Sequence, residues 1–130
     1  MSSARARRVV LGITDIFFVG RVEACAAASG IPEPVLAQAG DSLSRLCALH
    51  QPCVLVLDLQ DPALDPLGET TRIKSGPLKD VVEIIGFLPH VRMDLREAAV
   101  KAGVDKVWTR SAFTRLLPEV LAGVTSGTDS

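Results

Sequence analysis

The feature that most limits the fold of this chain is the way its hydrophobic period switches back and forth. Short apolar runs, "RRVVLGI" (Arg7–Ile13), "CVLVLD" (Cys53–Asp58) and "VVEIIGF" (Val81–Phe87), read as strands buried on both faces. "PVLAQAG" and "KVWT" (Lys106–Thr109) read as shorter strands. Between them the spacing becomes helical. Phe18, Val22, Cys25 and Ala26 share one helical face, and Gly30 and Pro32 end that helix. Asp41 is placed to N-cap a second helix carrying Leu43, Leu46, Cys47 and His50 on its inner face. Leu59 to Pro66 reads as a loop, and Leu67 to Lys74 as a short third helix. Leu95, Ala98, Ala99 and Ala102 mark a fourth helix closed by Gly103. Phe113, Leu116, Leu117, Val120 and Leu121 mark a fifth. Pro118 lies inside that last pattern without an N–H, so the helix is expected to start late, near Thr114, or to kink.

Five strands alternating with five helices call for parallel strands joined by right-handed crossovers, with helices on both faces. The expected fold is α/β, a doubly wound, flavodoxin-like five-stranded parallel sheet of order 2-1-3-4-5. A chain of 130 residues suits one domain. Its expected limits are a flexible arm at 1–7, the domain at 8–122 and a flexible tail at 123–130, with no output domain after the fifth helix.

Charge and composition exclude several roles. A net charge of −1 gives no footing for nucleic acid or an anionic membrane surface. No apolar run nears the roughly 18–20 residues of a membrane span, and no signal peptide is visible. Cys25, Cys47 and Cys53 show no zinc spacing and read as small core residues of a cytoplasmic protein. Phe17 and Phe18 stand where a dinucleotide or flavin phosphate would need open backbone after the first strand.

In such a sheet, ligands bind at the carboxyl ends of the strands. The first strand ends in Thr14 and Asp15, the third in Asp58, the fourth in Gly86 and Phe87, and the fifth in Thr109, Arg110 and Ser111. With strands one and three adjacent, Asp15 and Asp58 face each other across one shallow pocket. Paired carboxylates suit a hard cation such as Mg²⁺, and Arg110 could hold an anion above them. Asp15 could equally N-cap the first helix.

On these residues the chain resembles the receiver domains of bacterial response regulators, over nearly its whole length. The third strand ending in Asp58, with Pro62 four residues on, resembles the family's phosphoacceptor and its following proline. "AQAGDSLSRLCALHQPCVLVLD" and "AAVKAGVDKVWTRSAF" resemble the family's approach to that aspartate and its fourth-helix end and fifth strand. The resemblance implies Asp58 as phosphoacceptor and weak Mg²⁺ binding by Asp15, Asp58 and the Gln60 backbone. Four departures accompany it. Thr14 replaces one acid of the usual acidic pair, and Arg110 followed by Ser111 replaces lysine and proline. Gly86 stands at the switch hydroxyl, and Val107 at the switch aromatic.

The departures describe an atypical or pseudo-receiver, acting by protein–protein contact through the fourth helix, fifth strand and fifth helix, with homodimerisation as one form of that contact. It is not expected to be an enzyme beyond self-catalysed phosphoryl transfer. The alternative is a working phosphoacceptor charged at Asp58 from a histidine kinase, with Asp15 and Mg²⁺ and with Arg110 as clamp. A further alternative is a flavodoxin-like small-molecule binder lined by Phe17, Phe18, Phe87 and Trp108. A fixed Arg110–Asp58 pair would lock the site, and Asp105 is another partner open to Arg110. His90 reads as a solvated loop residue beside the pocket.

Overall fold

The computed structural model describes residues 7–89 and 92–126, with no side-chain description beyond residue 123. Five strands form one sheet: β1 (Arg8–Gly12), β2 (Val35–Leu36), β3 (Cys53–Asp58), β4 (Val82–Leu88) and β5 (Lys106–Thr109). All pairings are parallel and the order is β2-β1-β3-β4-β5. The helices are α1 (Ile16–Ala28), α2 (Leu43–Leu49), α3 (Pro66–Lys74), α4 (Met93–Ala102) and α5 (Arg110–Ser126). Fold class and strand order are therefore as the alternating pattern implies.

Two cores sit on opposite faces of the sheet, as a parallel sheet covered by helices requires. Val54 and Val56 of β3 pack with Phe18 and Val22 of α1 and Phe113 and Leu117 of α5. Cys53, Leu55 and Leu57, the alternate residues, pack with Leu43 and Cys47 of α2, Ile73 of α3 and Ala99 of α4. All three cysteines are free, with Cys47 and Cys53 buried.

The element ends differ from the sequence reading in ways that local chemistry explains. Ser42, not Asp41, caps α2, its hydroxyl accepting from Arg45 N at 3.3 Å. Asp41 turns back and accepts from Gln38 N at 2.7 Å. The loop after β3 contains a 3-10 turn, Pro62–Leu64, capped by Asp61. Gly103, at φ 116, ends α4 as its pattern requires. The fifth helix does not start late: it begins at Arg110, because Thr109 Oγ1 accepts from Ala112 N at 3.1 Å and caps the first turn. Pro118 lies within it.

The helix also runs to Ser126, past the boundary placed at 122. Arg7, assigned to a flexible arm, is tied by its guanidinium to Glu83 at 2.8 Å. The rest of the arm (1–6), the tail beyond 126 and His90 lie outside the described residues. Among the described residues, no helix is long and apolar enough to cross a membrane.

Candidate functional site

The strand register brings the carboxyl ends together. Asp58 pairs across β3–β4 with Phe87, and Gly12 pairs with Leu57, so the residues after β1 reach the same edge. There Thr14, Asp15, Asp58, Gln60, Asp61, Phe87, Leu88 and Arg110 line one cavity of about 340 Å³. The sequence-derived set Asp15, Asp58, Gln60 and Arg110 thus converges.

Their connections are not the expected ones. Arg110 does not pair with Asp58 or Asp105. Its Nη2 meets Asp15 Oδ2 at 2.8 Å, while Asp105 pairs with Lys74 at 2.8 Å. The guanidinium carbon lies 4.5 Å from the Phe18 ring centre and 5.5 Å from that of Phe87. Those rings are themselves fixed, with Phe87 stacked on Phe113 at 5.3 Å and tilted against Phe18 at 4.9 Å. Cation–π attraction and the ion pair together hold the arginine over the pocket.

Asp15 is both cap and ion-pair partner. Its Oδ1 accepts from Phe17 N at 3.0 Å and Phe18 N at 3.3 Å, at the start of α1. The hydrogen bond from Arg110, with those two N–H groups, holds its carboxyl below the ordinary range. Asp58 differs. Burial pushes its carboxyl up, and Asp61 and Asp15 add repulsion. The Gln60 N–H, 3.0 Å from Oδ1, and the charge of Arg110 only partly oppose this.

Asp61 is the site residue that sequence reasoning passed over. It is 7% exposed. Its Oδ1 accepts from Ala63 N at 3.0 Å, and its Oδ2 from Thr14 N at 3.0 Å and Thr14 Oγ1 at 2.5 Å. The Thr14 hydroxyl is therefore engaged with Asp61. The available signal was the Asp61–Pro62 pair, the usual start of a capped turn.

Gly86 is not at the pocket. β4 continues to Leu88, and the site at the strand exit is lined by Leu88 and Pro89 instead. A Cβ on Gly86 would lie 2.8–2.9 Å from the Leu59 side chain, so this glycine makes room for packing on the other core. Val107, its partner on β5, packs against that same core. The proposed aromatic pocket does not form either. Phe87 is 1% exposed and Phe18 4%, both in the core, whereas Phe17 is 85% exposed. Trp108 packs against the α1–α5 core.

Of the three carboxylates, only Asp58 Oδ2 has no donor among the described residues. Among the described residues, no group of three or more His, Cys, Asp or Glu is arranged to hold a metal. As arranged, the residues do not fit a divalent ion, because a guanidinium already neutralises Asp15.

No protein-family model matches the chain, and no curated protein matches it. Solved structures do. A response regulator from Hahella chejuensis superposes with a TM-score of 0.78 at 12% identity, over 95% of this chain and 99% of that one. The receiver domain of AraT, a response regulator from Geobacillus stearothermophilus, gives 0.72 at 17% identity, over 94% and 95%. The Mn²⁺-bound form of response regulator Rcp1 gives 0.71 at 16% identity, over 95% and 97%. At such identities the likeness establishes the fold, which is that of receiver domains.

Proposed function

We propose that this chain is a receiver-type signalling domain of the two-component kind that acts by binding a protein partner, and that Asp58 no longer serves it as a phosphoacceptor. The observation that carries this reading is the Arg110–Asp15 pair. Phosphoryl transfer works by positioning and charge neutralisation, and needs counter-charge free to meet the incoming group. Here the arginine and the first-strand acid neutralise each other at 2.8 Å. Leu88 at the exit of β4 adds no hydroxyl to follow a phosphoryl oxygen. The solved Mn²⁺ form of Rcp1 illustrates a receiver with a metal; this pocket, with Asp15 paired to Arg110 and a single carboxylate oxygen open on Asp58, does not support such a role.

The partner surface we assign is the α4–β5–α5 face. Met93 is 64% exposed and Val100 58%, and their seven-residue spacing places both on one side of α4. A second copy of the chain is the simplest occupant, and a histidine kinase or another effector the alternative. The test is intact-mass spectrometry after incubation with acetyl phosphate and Mg²⁺, beside an Asp58→Asn control. No mass gain is expected. A phosphoryl gain that vanishes in the control would instead establish the second reading, a working phosphoacceptor, favoured by the open Oδ2 of Asp58. Sedimentation of Met93→Glu/Val100→Glu against the parent protein then tests self-association through α4.

A further inference from the structure

We infer that Arg110 has taken over the charge-neutralising place of a divalent cation, so that the acidic pocket is metal-independent and carries a latent cation site that only loss of the guanidinium would open. The inference rests on the receiver reading for the kind of ion, and on the hydrogen-bond pattern for everything else. Asp15, Asp58 and Asp61 line one cavity with Gln60, and neighbouring carboxylates repel one another unless positive charge offsets them. Arg110 supplies it from within the chain. The side chain is also held in place, by Asp15 on one side and by the rings of Phe18 and Phe87 on the other.

The ligand pattern follows from that placement. Asp61 is closed by Thr14 and Ala63 on its two oxygens, whether or not Arg110 is present. Asp15 Oδ1 is closed by the helix start. Asp15 Oδ2 is closed by the arginine alone. Removing the guanidinium therefore frees one oxygen on Asp15 to join Asp58 Oδ2, and removes the nearest positive charge. Two carboxylate oxygens with water are oxygen donors of the kind Mg²⁺ and Mn²⁺ accept.

The experiment is an electron paramagnetic resonance titration of free Mn²⁺, without any phosphodonor, so its outcome is independent of whether Asp58 can be phosphorylated. Proteins compared are the parent, Asp58→Asn, Arg110→Gln, Arg110→Met and Arg110→Gln/Asp58→Asn. The methionine keeps an apolar stem against Phe18 and Phe87 should the glutamine variant not fold. The neutral variants are expected to bind Mn²⁺ about tenfold or more tighter than the parent, since oxygen donors and local charge govern such affinity. The added Asp58→Asn change should cancel the gain. Mn²⁺ binding by the parent that Asp58→Asn abolishes would overturn the inference. So would a neutral variant that circular dichroism shows to be folded and that binds no better than the parent.

Discussion

At the scale of single residues, the two site aspartates carry opposite linkage to pH. Asp58 is raised by burial, so its folded form holds its proton more tightly than the unfolded chain does. Stability from this group is then present in acid and declines as pH rises through the folded value. At neutral pH Asp58 is a net liability, and Asp58→Asn should raise the urea midpoint there, with the advantage shrinking toward pH 3. Urea titrations at several pH values check this, and a midpoint lowered at pH 7 would refute it. Asp15, lowered by Arg110, acts the other way: its contribution is present above the unfolded value and is lost as pH falls through the folded one. Thr14 offers a second check. Thr14→Val removes one of the donors to a carboxylate that is 7% exposed, and should cost about 1–3 kcal/mol by denaturant unfolding. Asp15 and Asp58 were legible in the sequence because each ends an apolar run. The Arg110–Asp15 pair was not, because it joins residues 95 positions apart and depends on two rings that only the packed core aligns.

At the scale of elements, Gly86 and Pro118 suggest boundaries that packing and capping override. Gly86 looks like a strand end, yet it sits mid-strand between Leu57 and Val107 because the absence of a side chain admits Leu59. Gly86→Ser, the change that would restore a hydroxyl at the position first taken for the switch, should cost about 1–3 kcal/mol by crowding Leu59. Leu88→Thr is the variant that would bring a hydroxyl to the cavity. Pro118 suggests a helix that starts late, near Thr114, or kinks, yet Thr109 has already capped α5 well before it. The proline then leaves the Thr114 carbonyl without its helical donor, so Pro118→Ala should stabilise the protein by about 1–3 kcal/mol in urea unfolding. No gain would mean that the helix is adapted to the proline and that the substitution disturbs that packing.

At the scale of the whole molecule, the fold was legible because alternating periods leave little choice: strands buried on both faces need helices on both sides, and parallel strands need crossovers. The state of the site was not legible, because it depends on which of several carboxylates the single arginine meets. That state has a consequence across the molecule. A signal from the pocket to the α4–β5–α5 face needs an element that answers a new charge at Asp58. β4 lies between the pocket and β5, and the residues it sends to the cavity edge are Phe87, 1% exposed in the α1–α5 core, and Leu88, 3% exposed and packed among the α2–α4 core. Arg110, the first residue of α5, already satisfies Asp15 and rests on two buried rings. These side chains are already packed or paired. Hydrogen exchange in α4, β5 and α5 should therefore be the same with and without acetyl phosphate and Mg²⁺. Arg110→Gln frees the start of α5 from Asp15 and should accelerate exchange there without any phosphodonor. Altered protection confined to those elements in the parent protein, absent from Asp58→Asn, would instead identify a functioning switch and place the fixed arginine within it.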